Sequence, residues 1–314
     1  MVKRVLLASP RGYCAGVERA VETVERALEL HGPPIYVRKQ IVHNKHVVDE
    51  LQRRGAVFVE REGEIPVGAT VVFSAHGVAP SVHANSRARS LRTIDATCPL
   101  VSKVHAEARH YAVRGYTILL IGHAGHEEVE GTMGEAPDCI LLVESVADAE
   151  RVLPPQTHRL AHLTQTTLSV DDTAEILKVL HRRFPGIESP RKEDICYATT
   201  NRQRAVKRLL PAVDLLLVIG SRNSSNSNRL VETARAGGID AYLIDDENEI
   251  EPAWLEGVET VGLTSGASAP EALVRRVLAW FRARGVLEVD ELDAIPEDVS
   301  FRLPPQIRAG STSS

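Results

Sequence analysis

Cysteine is the residue type whose spacing in this chain most invites chemistry. Four occur in 314 residues, and three of them, Cys14, Cys98 and Cys196, each precede a segment patterned as an amphipathic helix. They fall at matching points of a weak threefold internal repeat, at intervals of roughly 90 residues. Such placement would let three sequence-distant thiolates converge on one axis, which suits a metal cluster rather than disulfides. A thiol is ordinarily a small buried hydrophobe, and Cys139, within Cys139-Ile140-Leu141-Leu142-Val143, reads that way. The other three have Gly, Ala, Thr, Pro and Tyr as neighbours, and a helix N-terminus favours a thiolate. Zinc is a second reading, but no Cys-x-x-Cys pair exists, and three cysteines need a fourth ligand such as histidine to close a tetrahedron. An iron–sulfur cluster normally takes four thiolates. Three on a four-iron cluster would leave one iron open, able to take a substrate oxygen as a Lewis acid.

The loops carry the second signal. His43, His76 and His126 stand in strand-to-helix loops at equivalent stations, and the last third of the chain fills those stations with Ser224, Ser225, Asn226 and Ser268. Such side chains, with helix N-terminal amides, are donors suited to a phosphate or diphosphate. A helix cap and turn would account for Ser224-Ser225-Asn226-Ser227 alone; several such loops converging point to an anionic ligand. His31, His105, His110, His158 and His181 read as surface or satisfied core. Glu127, Glu128 and Glu130 fit a solvated face or a helix N-terminus. An acid beside a reducible ligand could also supply the protons that a reduction expelling hydroxide needs, and burial would raise its pKa for that task. Spacing does not choose between Glu127 and Glu128. Thr166 could hydrogen-bond the same alcohol oxygen or cap the next helix.

Elements must position these residues. Helical periodicity covers Val17–Leu30, the stretch after Pro99, Asp171–Phe184 and the stretch after Cys196. Strands are expected at 35–42, 56–59, 70–74, 117–122, 139–143, 160–164, 214–220, 240–244 and 260–264, with a loop over His126–Thr132. The alternation predicts an α/β fold of three similar units with mainly parallel sheets, arranged pseudo-threefold around a central cluster and substrate cleft. The expected boundaries are 1–97, 98–195 and 196–285, with 286–314 as an extension whose end, RAGSTSS, reads as a disordered tail. Three separate sites on the same units are the blander assembly.

Composition narrows the function classes. Apolar residues are 43% and charged residues 25%, the balance of a soluble globular protein. A net charge of −5 and 4% aromatic residues argue against a nucleic-acid partner. Val5–Ala8 is too short for a signal-peptide core and no apolar run would span a membrane. The expectation is a cytoplasmic protein whose thiols stay reduced.

Several motifs resemble the 4-hydroxy-3-methylbut-2-enyl diphosphate reductases. They are Val42-His43-Asn44-Lys45, Phe73-Ser74-Ala75-His76-Gly77-Val78, Asp95-Ala96-Thr97-Cys98-Pro99, His126-x-Glu128-Val129-Glu130-Gly131-Thr132 and Thr164-Gln165-Thr166-Thr167-Leu168-Ser169. Cys196-Tyr197-Ala198-Thr199-Thr200-Asn201, Asn223-Ser224-Ser225-Asn226-Ser227 and Gly266-Ala267-Ser268-Ala269-Pro270 complete the set, in order over about residues 1 to 285. Lys39-Gln40 departs from the His-Glu often seen there, and Ser265 stands where alanine is common; neither is a position given chemistry. The resemblance implies a two-electron reductive dehydroxylation giving isopentenyl and dimethylallyl diphosphate, the last step of the non-mevalonate isoprenoid pathway. It implies one [4Fe–4S] cluster per chain on Cys14, Cys98 and Cys196, with Glu128 as proton donor aided by His126 and Thr166. His43, His76, His126, Thr166, Ser224, Ser225, Asn226 and Ser268 would bind the allylic diphosphate, and a ferredoxin or flavodoxin type of donor would supply electrons. An iron–sulfur dehydratase, and a cluster-based redox sensor without catalysis, are the rival readings.

Overall fold

Short runs of valine, isoleucine and leucine make the strands, because such side chains tolerate burial on both faces of a parallel sheet. The structure is a computed structural model and describes residues 2–293 and 295–308. Most of the expected C-terminal tail lies outside the described residues. Twelve strands are present among them: β1 Arg4–Leu7, β2 Ile35–Arg38, β3 Ala56–Val59, β4 Thr70–Phe73, β5 Arg92–Asp95, β6 Thr117–Ile121, β7 Ile140–Val143, β8 Leu160–Thr164, β9 Leu215–Ile219, β10 Asp240–Ile244, β11 Thr260–Ser265 and β12 Glu288–Glu291. The α-helices are α1 Ala15–His31, α2 Lys45–Arg53, α3 Pro80–Ala88, α4 Pro99–Val113, α5 Glu127–Glu135, α6 Val146–Arg151, α7 Val170–Arg183, α8 Tyr197–Leu209, α9 Ser225–Ala236 and α10 Glu271–Arg282.

Three sheets result, ordered β10-β9-β11-β1-β12, β3-β2-β4-β5 and β7-β6-β8. Every strand pair in them is parallel. The expected α/β class with parallel sheets is therefore what the chain adopts. Contacts divide it into two compact units. The first comprises residues 2–17, 43–49 and 197–300 and holds the five-stranded sheet; the second comprises 18–42, 50–196 and 301–308 and holds the other two.

In the first unit, α10 lays Leu273, Val274, Val277, Leu278 and Phe281 onto Val5, Leu7, Leu217, Ile219, Val261 and Leu263 of the sheet. Each fully buried side chain of this size contributes roughly 1.5–3 kcal/mol. In the second, Val104, Ala108 and Tyr111 of α4 cover one face of the three-stranded sheet, and Ile176, Val179 and Leu180 of α7 cover the other.

Two local expectations need correcting. The strand from Ile35 stops at Arg38, because Lys39 takes a left-handed backbone (φ 54°) that ends the pleat. Ile41 and Val42 are still buried, but in a loop. The stretch His126–Thr132, expected as a loop, is the cap and first turns of α5. Glu127, Glu128 and Glu130 fall in the first turn of α5, where the helix dipole favours them, and Gly131 and Gly134 of the same helix are set by close packing. A Cβ at Gly134 would stand 2.4 Å from the Ala79 side chain. No helix among the described residues is long and apolar enough to cross a membrane.

Candidate active site

In the second unit the site is built around Glu128, which α5 carries inward to 2% exposure. Thr166 follows β8 and meets both carboxylate oxygens. Its amide donates to Oε1 at 2.6 Å and its hydroxyl to Oε2 at 3.0 Å. Burial pushes the Glu128 carboxyl up to about 7, although both Thr166 bonds pull it down. The Thr166 carbonyl accepts the amide of Cys196 at 3.0 Å. One threonine thus joins the buried acid to a cysteine.

His126 caps α5, its Nδ1 accepting the Glu128 amide at 3.2 Å, so the neutral ring carries its proton on Nε2. Its ring lies edge-on to His76, centroids 5.9 Å apart. His76 stands at the end of β4, its Nδ1 3.3 Å from Glu127, which the Ser74 hydroxyl also approaches. Burial, with the charge of Lys39, depresses His76 to about 4, so it is a neutral imidazole at physiological pH. The fold separates the two acids that spacing left equivalent. Glu128 faces Thr166, and Glu127 faces Ser74 and His76.

The first unit brings together His43, Ser224, Ser225, Asn226 and Ser268. They follow β9 and β11, which are neighbours in the sheet, and the loop before α2 joins them. Ser224 caps α9 and accepts hydrogen bonds from the Ser227 hydroxyl at 3.0 Å and the Asn226 amide group at 2.9 Å. Asn226 Oδ1 accepts the Ala267 amide at 2.8 Å. Ser268 donates to the His43 carbonyl at 2.9 Å, and Asn223 lies 3.3 Å from His43 Nδ1. Ser225 opens α9, whose N-terminal amides are suited to an anion. Ser227 was not singled out in sequence, yet it sits at the centre of this turn. A Cβ would reach 2.0 Å from its hydroxyl at Gly266 and 2.3 Å at Gly220. The signal was there in the two glycines that end adjacent strands.

The cysteines are thiols, all partly exposed. Cys139 packs at the margin of the apolar cluster with Ile118 and Ile140. Cys98 is the N-cap of α4, and Cys14 and Cys196 immediately precede α1 and α8. Their amides are tied to Ala267, Ala75 and Thr166 carbonyls for Cys14, Cys98 and Cys196 respectively. The donor set fits an iron–sulfur group: three backbone-fixed thiols, each at the positive end of a helix, where a negative sulfur ligand is favoured. His105, expected on the surface or in the core, is a core histidine: it is buried and its Nδ1 pairs with Glu135 at 2.9 Å.

A family model described as LytB protein matches residues 5–282. The chain belongs to the LytB protein family. It is 62% identical over 307 residues to the 4-hydroxy-3-methylbut-2-enyl diphosphate reductase of Acidothermus cellulolyticus, covering 98% of this chain and 90% of that protein. It is 60% identical to the Mycolicibacterium paratuberculosis protein of the same name, covering 98% and 93%. Among solved structures, the E-1-hydroxy-2-methyl-but-2-enyl-4-diphosphate reductase of Plasmodium falciparum superposes with a TM-score of 0.95 at 39% identity, covering 98% of this chain and 97% of that one. A second, described as the terminal enzyme of the non-mevalonate pathway, gives a TM-score of 0.64 at 32% identity, covering 90% and 100%.

Within this LytB chain, the two departures noted in the sequence both reach the surroundings of the proposed chemistry. Ser265 accepts the Gly12 amide at 2.8 Å, fixing the loop that leads to Cys14. Lys39 pairs with Glu130 at 3.0 Å and lies close enough to His76 to help keep it neutral.

Proposed function

We propose that this chain is a 4-hydroxy-3-methylbut-2-enyl diphosphate reductase, taking in two electrons and two protons and releasing water with isopentenyl or dimethylallyl diphosphate. Besides the likeness to proteins of that name, one observation carries the reading. A buried carboxyl poised near neutrality is held on both oxygens by a threonine whose carbonyl anchors a cysteine. The ligands would be Cys14, Cys98 and Cys196. When bound there, a [4Fe–4S] cluster supplies single electrons and a Lewis-acidic iron.

The protein's own part is proton supply and placement. Glu128 Oε1 is committed to a main-chain N–H, which only donates, so the proton of the neutral acid resides on Oε2. There it faces the Thr166 hydroxyl, which can accept it and turn its own hydrogen toward a departing hydroxyl. With His126 Nε2 as a further donor, this arrangement turns hydroxide loss into water loss, the costly part of breaking a C–O bond. His76, His126 and Thr166 in the second unit, and His43, Ser224, Ser225, Asn226 and Ser268 in the first, would bind the diphosphate and orient the allylic alcohol. His76 is neutral at physiological pH, and the threonine, serines and asparagine carry no charge, so these groups can hold a polyanion without competing for the proton. A small electron carrier of the ferredoxin or flavodoxin type would serve, in the cytoplasm, where thiols stay reduced.

The test is anaerobic turnover of the allylic alcohol diphosphate with a strong one-electron reductant. Formation of both products only when reductant is present supports the reading. Conversion without reductant would make the protein a dehydratase.

A further inference from the structure

We propose that Arg19, Lys103 and Arg202 are positioning residues for the three cysteines, each tethering the stretch of chain that leads into another cysteine. The inference rests on the reading of Cys14, Cys98 and Cys196 as cluster ligands. Each of the three cations stands on the second turn of the helix that follows a cysteine: Arg19 on α1, Lys103 on α4 and Arg202 on α8. None points to a neighbour on its own helix alone. Each reaches main-chain carbonyls far away in sequence.

Arg19, after Cys14, donates Nη1 to the carbonyls of Ala96 at 2.9 Å and Thr97 at 3.0 Å, and Nη2 to that of Asp95 at 3.4 Å. These are the three peptides before Cys98; its Nε goes to the Arg302 carbonyl. Lys103, after Cys98, donates to the carbonyls of Lys192 and Glu193 and to the Asp194 carboxylate at 2.7 Å, on the approach to Cys196. Arg202, after Cys196, donates Nη2 to the carbonyls of Gly12 at 2.7 Å and Tyr13 at 3.4 Å, the two peptides before Cys14. Its Nη1 meets the Ala198 carbonyl and Glu297. The relation is cyclic, Cys14 to Cys98 to Cys196 and back. Every bond in it lies within one compact unit, those of Arg19 and Lys103 in the second and those of Arg202 in the first.

The physical consequence concerns the sulfur atoms. Aiming consecutive carbonyls at one cation fixes their peptide planes, and so the direction in which the next residue's Cα–Cβ bond leaves the chain. The cations also bring positive charge to where thiolate ligands would add negative charge, and Arg19 is near enough to Cys98 for the two charges to interact. Arg202 is fully buried, and both of its Nη groups are spent on these carbonyls and on Glu297, which offsets part of the cost of burying its charge. Groups that orient metal ligands from behind typically change metal retention 10- to 100-fold when removed.

The experiment uses holoprotein reconstituted without oxygen, comparing Arg19→Met, Lys103→Met, Lys103→Arg and Arg202→Lys with wild type. Arg183→Met is the control, since Arg183 donates to the Ala149 and Val152 carbonyls in the same manner but leads into no cysteine. Iron release to a strong chelator, the electron paramagnetic resonance spectrum of the reduced cluster, and the Tm of the apoprotein are measured. Iron should leave Arg19→Met and Lys103→Met about tenfold faster or more, with an altered spectrum. Lys103→Arg should recover most of the wild-type behaviour, and Arg183→Met should match wild type even if its Tm falls. Wild-type release rates and spectra in both methionine variants would overturn the proposal alone. A wild-type protein that takes up no iron would overturn the ligand reading and this inference with it. Lys103 is partly exposed, so its variants keep the test decisive if a buried arginine variant fails to fold.

Discussion

Glu128 is where residue-scale chemistry is most exposed to test. Its pKa near 7 is a balance in which burial outweighs two hydrogen bonds from Thr166. If the protonated acid is the active form, kcat falls as pH rises through about 7. Glu128→Gln keeps both Thr166 contacts but carries no proton to give, so turnover should fall by roughly 10²–10⁴ while iron content is unchanged. Turnover near wild type would remove its proton role. Thr166→Val deletes the hydroxyl bond that favours the charged form. The pH limb should then move upward by roughly one to two units, since a hydrogen bond to a charged group is worth about 1.5–3 kcal/mol; a limb that moved down would reverse the assignment. The same balance has a stability signature. The folded carboxyl holds its proton to higher pH than the unfolded one, so stability declines as pH rises from the ordinary carboxylate range to about 7. Glu128→Gln does not titrate and should be more stable than wild type at pH 8, by on the order of 2–3 kcal/mol, with the difference gone near pH 4 in thermal melts. Spacing could not choose between Glu127 and Glu128, because adjacent helical residues point about 100° apart and only the packed structure says which direction is inward.

At the scale of elements, the sequence showed the residue types but not always the conformation. Helix starts after the three cysteines were readable from apolar periodicity and, at Cys98, from Pro99. Helix α5 was not, since two glycines and four acids outweigh its apolar residues locally; close approach of neighbouring side chains to those glycines is a tertiary fact. The turn from β9 into α9 makes the same point from the other side. Ser227 presses on Gly220 and Gly266, so Gly266→Ala should cost about 1–3 kcal/mol, as over-packing does, and raise KM for the diphosphate. Adding Ser227→Ala should restore part of the lost Tm. An undisturbed Tm in Gly266→Ala would mean that the turn is not as tight as drawn. The carbonyl tethers of Arg19, Lys103 and Arg202 were illegible for a different reason: a main-chain acceptor has no residue identity to read.

At the scale of the whole molecule, alternation of strand and helix announced the α/β class and the parallel sheets. It did not announce which sheet receives the two ends of the described chain. Val5, Leu6 and Leu7 were visible only as an apolar run, yet β1 pairs with β11 and β12, more than 250 residues away. Such pairing is decided by packing, with Val5 and Leu7 joining the core that α10 covers. If the ligand set is Cys14, Cys98 and Cys196, Cys98→Ser should lose the cluster and Cys139→Ser should keep it, as read by visible absorbance of anaerobic protein. Equal loss in both would mean that the ligands are misassigned. The most direct measurement of the central claim is iron and acid-labile sulfide per chain on protein purified without oxygen. Roughly four of each, the content of a [4Fe–4S] cluster, is the result expected here; zinc without sulfide would leave the fold standing and contradict the chemistry.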